Sequence, residues 1–353
     1  MFRALAVAER GRGRTSPNPM VGALVVDPEG VVVGRGFHAK AGGPHAEVHA
    51  LRDAGARARG ATLYCTLEPC SHVGRTGACA PVVADSGVAR VVVASGDPNP
   101  LVNGKGLEIL RARGIAVTTG VLDNEARALN APFFSVMTRR RPFVTMKVAL
   151  SADHRIAIQP GVRTPLTSPA SARLIHRDRA EVDAIAVGSG TVLADDPLLT
   201  PRGAFRSRPL VRVVFDSRFR TSPESRLFST LETGPVIIVS NRAMVERARD
   251  RADALIAVGA ELLTVAEDAS ILDALKQLAG KGISSMIVEG GVTLHRAFWD
   301  ADVVDRVQMY MTPHRLGPAG LEWLPVPLAG LGPMTRKLLG TDILIEGYVH
   351  RPD

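Results

Sequence analysis

Short apolar segments alternate with stretches of helical spacing along the first part of the chain. "VGALVV" (21–26) and "VVVGRGF" (31–37) flank the polar turn "DPEG", which predicts a β-hairpin. The elements predicted after it are a helix over "HAEVHALRDAGARA" (45–58), a strand over "ATLYCT" (61–66), a helix from about Pro81, a strand over "VARVVVAS" (88–95), and a helix and strand over "LEILRARG" and "IAVTTG". A hairpin followed by β-α-β units predicts an α/β domain with a mixed sheet.

The second part of the chain shows the same alternation. Its five strand candidates are "FVTMKVAL", "DAIAVGS", "LVRVVFD", "PVIIVS" and "SSMIVEGG". Helical segments such as "ASARLIHRDRA" and "SILDALKQLAG" separate them, which predicts a second α/β domain. Two further strands are predicted over "RVQMYMTP" and "DILIEGYVH". These late strands can be antiparallel to the rest of the sheet.

A run of arginines ending in a proline marks the boundary between the two parts. "MTRRRPF" (137–143) follows the apolar segment "APFFSV", and such a charged stretch is typical of a domain edge. We therefore expect one domain over residues 1–140 and another over 141–353. A chain of 353 residues with 46% hydrophobic and 22% charged residues has enough apolar material for two cores.

Composition narrows the possible partners and location. The net charge of +8 suits anionic partners such as nucleic acid or phosphorylated metabolites, although a solvated basic surface explains it as well. Aromatic residues make up only 4%, so stacking on single-stranded nucleic acid is not expected as a main activity. The segment "MFRALAVAER" lacks the apolar core of a signal peptide, and no apolar run approaches the length of a membrane span. Three cysteines cannot all pair, which disfavours a secreted disulfide scaffold. These features predict a cytoplasmic protein without a membrane partner.

Three residues in the first domain have the types and spacing of zinc ligands. His45 in "PHAEVHA" lies at a predicted helix start, Cys70 follows a strand at what is expected to be another helix N-terminus, and Cys79 comes after a glycine-bearing loop. One imidazole and two thiolates leave the fourth position of a tetrahedral zinc open for water, whose pKa the metal lowers. Glu47, two residues after His45, can then transfer protons without binding the metal. The combination H-x-E, P-C and a further Cys is typical of zinc-dependent nucleobase deaminases.

Other interpretations of these cysteines stay open at this point. A closed structural zinc site needs a fourth ligand, which His49 or His72 can supply. A redox dithiol favours C-x-x-C rather than the spacing of Cys70 and Cys79. Cys65, inside a strand, is most simply a small buried apolar residue.

Three segments resemble a known family: "TSPNPMVGALVV", "GFHAKAGGPHAEVHAL" and "TLEPCSHVGRTGAC". They are similar to the deaminase half of the bifunctional deaminase/reductases of riboflavin biosynthesis, the RibD family. Deaminases of cytidine or tRNA adenosine typically have C-x-x-C, whereas this chain inserts "SHVGRTGA", as the riboflavin-pathway enzymes do. The resemblance implies a cytidine-deaminase-like α/β/α domain that removes an amino group from a phosphoribosylated diaminopyrimidinone. It makes His45, Cys70 and Cys79 zinc ligands and Glu47 the proton shuttle.

The same resemblance adds contacts to the deaminase substrate. Asn18 lies between two prolines, where its amide can bond the pyrimidine or simply form an Asx turn. His38, His72 and Arg75 are candidates for the ribose phosphate, because that group requires hydrogen-bond donors on a flexible loop.

Two segments of the second part are candidates for ligand binding. "VEGGVTLHRAF" (288–298) predicts a strand, two glycines and a helix whose N-terminus suits a phosphate, although ordinary turn chemistry explains it equally well. "GSGTVLADDPLLTPR" (188–202) follows an apolar strand, and its two aspartates can simply cap a turn. No G-x-G-x-x-G fingerprint is present, which disfavours a Rossmann domain.

Both segments resemble the reductase half of the same family, which implies a dihydrofolate-reductase-like α/β domain that uses NADPH. The resemblance covers nearly the whole chain in the family's domain order. The NADPH contacts that it implies are Ala149, Thr191, Asp195, Ser217, Gly291, Val292, Thr293 and Leu294. The implied contacts to the ribosylaminouracil substrate are Lys147, Arg179, Leu199, Arg202 and Glu289. Lys147 and Glu289 are the candidates for handling protons as the opened ribose is reduced to a ribityl chain.

The chain departs from the family pattern at three positions of this half. His154 in "SADH" stands where the family usually has glycine in S-L-D-G. In "RTPLTSP", Arg163 and Pro165 occupy the serine and tryptophan positions of the usual S-x-W-I-T. Proline cannot replace the tryptophan surface, so a deaminase whose reductase half is weakened, altered in cofactor preference or mainly structural is an alternative to the full bifunctional enzyme.

Other functions compete with this hypothesis. A nucleic-acid base deaminase would explain the zinc motif and the positive charge, but the loop insertion and the reductase-like half disfavour it. A non-catalytic zinc protein is the third possibility. Under the leading hypothesis we expect zinc and NADPH as cofactors, a phosphoribosylated pyrimidine as substrate, no nucleic-acid partner and a homo-oligomer.

Overall fold

The computed structural model describes residues 1–71, 77–100, 102–324, 331–332 and 334–351. They form two compact units, residues 1–140 and 141–351. In the described part of the chain, no helix is both long enough and apolar enough to cross a membrane.

The first unit is built around a five-stranded sheet. Its strands are β1 (Gly22–Val26), β2 (Val32–Phe37), β3 (Thr62–Leu67), β4 (Arg90–Ser95) and β5 (Ala116–Thr118). Its helices are α1 (Phe2–Ala8), α2 (Ala46–Ala54), α3 (Cys79–Asp85), α4 (Lys105–Ala112), α5 (Asp123–Leu129) and α6 (Ala131–Arg139), with 3₁₀ turns at Glu9–Gly11 and Gly55–Ala58.

The strand order is β2-β1-β3-β4-β5, and the sheet is mixed, as the sequence predicts. Strand β1 pairs antiparallel with both β2 and β3, whereas β3, β4 and β5 run parallel. The carboxyl ends of β3 and β4 therefore meet at one edge of the sheet, which is where the loops leading to α3 and α4 begin.

Two glycines allow α2 to lie directly on β2. A Cβ at Gly34 would come within 2.2 Å of the carbonyl oxygen of Ala50, and one at Gly36 within 2.1 Å of that of Ala46. Ala46 and Ala50 are fully buried against this strand. Such close packing requires small residues on both elements, so the glycines set the position of the helix that follows His45.

The second unit contains a nine-stranded sheet and a separate two-stranded one. Its strands are β6 (Phe143–Leu150), β7 (Arg155–Ala157), β8 (Ala184–Gly188), β9 (Val211–Phe215), β10 (Val236–Asn241), β11 (Ala260–Val265), β12 (Ser285–Glu289), β13 (Arg306–Met311), β14 (Leu321–Glu322), β15 (Thr335–Leu339) and β16 (Asp342–Tyr348). Its helices are α7 (Pro169–Glu181), α8 (Ser189–Asp195), α9 (Arg242–Arg247), α10 (Arg249–Ala257), α11 (Ile271–Gly280) and α12 (Val292–Asp300), with a 3₁₀ segment at Arg226–Thr233.

The large sheet has the order β11-β10-β9-β8-β12-β6-β13-β16-β15, and β7 pairs with β14. The strands from β11 to β13 are parallel, and β16 runs antiparallel to both of its neighbours. Of the two late strands, β16 is antiparallel and β13 is parallel to β6. The sequence pattern missed four strands. Two of them, β7 and β14, are only three and two residues long. The other two, β11 and β15, carry charged residues in "AELLTV" and "TRKLL" and resemble amphipathic stretches.

A buried ion pair fixes the first strand of this unit. Arg141 donates from Nη1 and Nη2 to the Asp305 carboxylate over 2.6 and 2.8 Å, and the carboxylate also accepts the backbone N–H of Val144 at 2.8 Å. Asp305 is fully buried and Arg141 is 5% exposed. The guanidinium and the backbone N–H together satisfy a charge that is costly to bury alone.

Candidate functional site

The three predicted metal ligands come together in the first unit. The ligand atoms of His45, Cys70 and Cys79 all lie within 4.8 Å of one another, and within the described part of the chain they are the only such group. His45 Nδ1 lies 3.5 Å from the sulfur of Cys70 and 3.0 Å from that of Cys79. Ligands of a tetrahedral zinc at bond lengths of about 2.0–2.3 Å are separated by roughly 3.5 Å, so the donor set fits this metal.

Local structure explains how the three ligands meet. His45 is the N-cap residue of α2, as predicted, and Cys79 is the first residue of α3. The expectation that Cys70 begins a helix was wrong: Cys70 lies outside any helix, a few residues past β3. The N-terminus of α3 nevertheless reaches it through space, because the backbone N–H of Cys79 donates to the Cys70 sulfur at 3.3 Å.

The thiols have unequal acidities. The hydrogen bond from the Cys79 thiol is the largest effect that lowers the pKa of Cys70, to about 4, and the same bond raises the pKa of Cys79. The hydrogen bond with Cys70 also raises the pKa of His45. A metal binds the deprotonated forms of these residues, so zinc binding releases the protons that they share.

Glu47 has the position and environment of a proton-transfer group. It lies in the first turn of α2, is 3% exposed, and its Oε2 has no hydrogen-bond partner among the described residues. Burial raises its pKa to about 7. An unpartnered buried carboxyl oxygen beside three metal donors is what a group that exchanges protons with a bound ligand requires.

Asn18 and His38 form a hydrogen-bonded pair next to the metal ligands. His38 Nδ1 lies 3.2 Å from the carbonyl oxygen of Pro44, so it carries the proton, and Nε2 accepts from the Asn18 amide at 3.2 Å. The ring of His38 meets that of His45 edge to face, with centroids 5.3 Å apart. Burial lowers the pKa of His38, which is 3% exposed. A neutral, enclosed imidazole suits the orientation of Asn18 better than the predicted contact with a phosphate.

The remaining candidates around the metal group are placed differently. His72 and Arg75 lie outside the described residues. His49 does not belong to the metal group, so the described residues give no support to His49 as a fourth ligand. Cys65 is fully buried in the core of the sheet, as expected for a small apolar residue.

Sequence reasoning missed Glu68. Its carboxylate is 3% exposed and accepts the backbone N–H groups of Gly104 and Gly106, each at 3.0 Å. These bonds attach the turn before Cys70 to the start of α4. The sequence signal for Glu68 was its position, since this charged residue stands between an apolar strand and the Pro69–Cys70 pair. A charge at such a buried position requires hydrogen-bond partners.

The second unit contains a cleft of about 980 Å³ at the carboxyl ends of its parallel strands. Ligands commonly bind at this edge of an open α/β sheet. The predicted residues that line the cleft are Lys147, Ala149, Arg179, Thr191, Asp195, Leu199, Ser217, Glu289, Gly291, Val292, Thr293 and Leu294. Arg202 is the one predicted contact in this unit that does not line it.

Glu289 forms the charged centre of the cleft. Arg179 donates from Nε and Nη2 to its two carboxylate oxygens, each at 2.7 Å, and Lys147 Nζ lies 3.5 Å from Oε2. Burial alone would raise the pKa of Glu289, but the charges of Arg179 and Lys147 hold it well below its ordinary range. Glu289 is therefore an ionised anchor, which leaves Lys147 as the proton-bearing member of the two candidates.

The "GG" turn has the backbone geometry that a phosphate site needs. Gly290 has φ of 151°, which a residue with a side chain rarely adopts, and Gly291 is the N-cap of α12. No side chain caps this helix, so its first N–H groups face the cleft without a side-chain partner. Such groups, together with the helix dipole, attract anions.

Two arginines of the cleft were also missed. Arg218 and Arg220 follow β9 and line the cleft next to Ser217. Arg220 Nη2 lies 3.3 Å from the hydroxyl of Ser189. The signal was the sequence "DSRFR" directly after a parallel strand, where polar residues reach the binding edge of the sheet.

Arg202 lies on a loop that is tied to α7. The guanidinium of Arg206 joins this loop to the end of the helix, because it donates to the carbonyl oxygen of Ala180 at 2.8 Å. It also donates to the carbonyl oxygen of Pro209, before β9, at 2.8 Å. Burial lowers the pKa of His176 on α7, and the charges of Arg179 and Arg202 lower it further. Arg202 therefore lies near His176, as Arg179 does, although it does not line the cleft.

The three departures from the family pattern have different structural consequences. Arg163 and Pro165 both line the cleft. Burial raises the pKa of Asp195, and the nearby charge of Arg163 acts in the opposite direction. His154 lies outside the cleft lining, in the turn between β6 and β7, and has φ of 61°. That left-handed conformation is one that glycine adopts without strain.

Comparisons with known proteins identify both halves. Residues 142–325 match the model of the RibD C-terminal domain. Residues 1–95 match the model of the cytidine and deoxycytidylate deaminase zinc-binding region. These matches confirm the predicted fold classes, a cytidine-deaminase-like first domain and a reductase domain.

Relatives of similar length match nearly the whole chain. The riboflavin biosynthesis protein RibD of Aquifex aeolicus is 40% identical over 90% of this chain and 87% of its own length. That of Escherichia coli is 40% identical over 90% of this chain and 88% of its own. Among solved structures, Acinetobacter baumannii RibD has a TM-score of 0.86 with 34% identity, covering 98% of this chain and 97% of its own. The deaminase/reductase of Thermotoga maritima has a TM-score of 0.83 with 33% identity, covering 99% and 97%.

Proposed function

This chain belongs to the RibD family, the bifunctional deaminase/reductases of riboflavin biosynthesis, and we propose how its own residues carry out the two reactions. The enzyme deaminates 2,5-diamino-6-(5-phosphoribosylamino)pyrimidin-4(3H)-one and then reduces the ribosyl chain of the product. Zinc and NADPH are its cofactors. We assign the deaminase to residues 1–140 and the reductase to residues 141–353.

The deaminase assignment depends mainly on the group of His45, Cys70 and Cys79 beside a buried Glu47. These three residues would hold the zinc, which supplies a Lewis acid that makes water nucleophilic at neutral pH. Glu47 takes a proton from the attacking water and delivers it to the leaving amino group, because its unpartnered Oε2 lies buried beside the three metal donors. Asn18, held by His38, contacts the pyrimidine. His72 and Arg75 remain our candidates for the ribose phosphate.

In the reductase, bound NADPH supplies the hydride. The residues of the cleft bind and orient the cofactor and the substrate, and one of them supplies the proton. We assign the cofactor to Ala149, Thr191, Asp195, Ser217 and the start of α12 from Gly291 to Leu294. The ammonium of Lys147 gives a proton to the ring oxygen of the ribose as the ring opens to an imine, and the C1′ carbon of that imine accepts the hydride, which leaves the ribityl chain attached to nitrogen. Glu289 keeps Lys147 and Arg179 in place. Leu199 and Arg202 complete the proposed substrate contacts.

The deaminase test compares the wild type with Glu47→Gln. We expect ammonia release to fall by about 10²–10⁴-fold, the range for loss of a general acid–base group, while each chain keeps its zinc. Exposed Glu108→Gln on α4 is the control. Unchanged ammonia release in Glu47→Gln would show that the site works without this carboxyl.

The reductase test supplies the purified enzyme with the deaminated substrate and NADPH and follows the loss of nicotinamide absorbance. Because Arg163 and Pro165 line the cleft, a weakened reductase is the second candidate. Pro165→Trp restores the family residue, and a large gain in rate would favour that candidate. No oxidation above background in either protein would leave only the deaminase.

We further propose a cytoplasmic homo-oligomer that acts on a phosphorylated small molecule and not on nucleic acid. None of the three cysteines, which all lie among the described residues, is in a disulfide, and this fits a reducing compartment. Light scattering of the purified enzyme would test the oligomer, and salt-dependent binding to RNA or DNA would contradict the substrate class.

A further inference from the structure

Asn130 lies between α5 and α6, far in sequence from any residue assigned to the deaminase. It is 2% exposed and is the N-cap residue of α6. Asparagine at this position usually caps its own helix with its side chain. Here the side chain makes no capping bond, so its role has to be sought elsewhere.

The amide of Asn130 exchanges two hydrogen bonds with the backbone of Met20. Its Oδ1 accepts the Met20 N–H at 2.7 Å, and its Nδ2 donates to the Met20 carbonyl oxygen at 2.9 Å. Met20 lies two residues after Asn18 and two residues before Gly22, the first residue of β1. One buried side chain therefore satisfies both backbone groups of the residue that ends the Asn18 loop.

The loop is held at its other side by local bonds. The backbone N–H of Asn18 donates to Thr15 at 2.9 Å, and the Asn18 amide donates to His38. His38 Nε2 is the acceptor in this pair, so the Asn18 Nδ2 faces His38 and its Oδ1 is turned away from the imidazole. This orientation holds only if the loop backbone stays where Asn130 fixes it.

We propose that Asn130 is a positioning residue of the deaminase, which holds the Asn18 loop so that the Asn18 amide is aligned with the pyrimidine. The proposal builds on the proposed deaminase function. Asn130 does not touch substrate and acts only through Met20 and Asn18. Its loss raises the KM for the pyrimidine without affecting zinc binding, because His45, Cys70 and Cys79 lie on other segments.

The experiment is a double-mutant cycle in the full-length, zinc-loaded enzyme. We expect Asn130→Ala to raise the KM for deamination about tenfold or more, with kcat changed less than about threefold, since the lost interaction positions bound substrate. In the Asn18→Ala background the same change should add less than about a twofold effect, because both substitutions remove one interaction. Zinc content per chain and NADPH-dependent reduction serve as internal readouts that should not change.

Asn124→Ala is the matched control, since Asn124 is an exposed asparagine on the preceding helix. Should Asn130→Ala lose zinc or solubility, Asn130→Asp takes its place, because its carboxylate still accepts the Met20 N–H and fails only to donate to the carbonyl. Effects that multiply in the double variant, or an unchanged KM in both Asn130 variants, would overturn the proposal. A zinc-loaded wild type that releases no ammonia would instead contradict the proposed function itself.

Discussion

Gly36→Ala tests whether the contact between β2 and α2 sets the position of the deaminase residues. A Cβ at position 36 would lie 2.1 Å from the carbonyl oxygen of Ala46 and 2.5 Å from the backbone nitrogen of Ala50. Real Cβ contacts stay above 3.0 Å, so α2 would have to retreat by roughly 0.9 Å, an overpacking that cores resist. Ala46 stands between His45 and Glu47, which would therefore move with it.

A displacement of about 1 Å at reacting groups can cost about 10²-fold in rate. We expect Gly36→Ala to lower the kcat of deamination by about that factor and to destabilise the first domain by about 1–3 kcal/mol. The assay is ammonia release from the zinc-loaded enzyme, with zinc counted per chain. Reduction of the deaminated substrate by the same protein should be unchanged, because Gly36 belongs to the other compact unit.

Gly280→Ala is the steric control, since a Cβ there meets no atom within 4 Å. Deamination at the wild-type rate by Gly36→Ala, with zinc bound, would refute the argument that this contact positions Glu47. Equal losses in both activities would also refute it, since they would indicate general unfolding rather than a shift of α2.

Three further predictions concern the stability of the second domain. Urea unfolding followed by tryptophan fluorescence measures its free energy of unfolding, because the two tryptophans of the chain, Trp299 and Trp323, both lie in this domain. Asp305→Ala removes the carboxylate that pairs with the buried Arg141 guanidinium and should lower the free energy of unfolding by about 3–5 kcal/mol. The control, Asp300→Ala at an exposed position, should lower it by less than about 0.5 kcal/mol. Equal effects of the two substitutions would contradict the role of the ion pair. Burial lowers the pKa of His295 to about 4 from an ordinary 6.5. Between pH 6.5 and pH 4 the unfolded chain therefore binds a proton at this histidine that the folded chain does not bind. The contribution of His295 to the free energy of unfolding is full above pH 6.5 and is lost as the pH falls toward 4. The stability advantage of the wild type over His295→Gln should therefore shrink by up to about 3 kcal/mol from pH 7 to pH 4, and a pH-independent difference would show that His295 does not titrate in this way. His154→Gly relieves a left-handed backbone and should stabilise by about 0.5–1 kcal/mol; a clear destabilisation would reveal contacts of the imidazole that outweigh the strain.

The three candidate zinc ligands and Glu47 were accessible to sequence reasoning because each is a chemically distinctive residue in a short motif. His45 and Glu47 are separated by one residue, and Cys70 and Cys79 flank one loop. Their meeting in space follows from the order of strands and helices, which apolar periodicity also predicts. The helix start at Cys70 was wrong, because periodicity does not locate where a loop ends and a helix begins.

In the cleft, too, some residues could be predicted from local sequence and others could not. The glycines before α12 and the polar residues after β8 are local signals, and the structure brings them to one edge of the sheet. The pairing of Arg179 with Glu289 was not predictable, since the two residues are 110 positions apart and many arginines were available as partners. The protonation of Glu289 depends on that pairing, so its role as an ionised anchor could not be derived from the sequence.

By itself, the sequence determined the two α/β halves, the candidate metal donors and the carboxyl proposed as proton shuttle, because strand and helix periods and metal chemistry are local properties of residue types. Only the tertiary structure decided which polar side chains hold those groups in place. Asn130 binds Met20 across 110 residues, Glu68 binds the start of α4, and Arg141 binds Asp305 across 164. Such partners are selected by burial, which makes an unsatisfied hydrogen bond or charge costly wherever in the chain its partner lies.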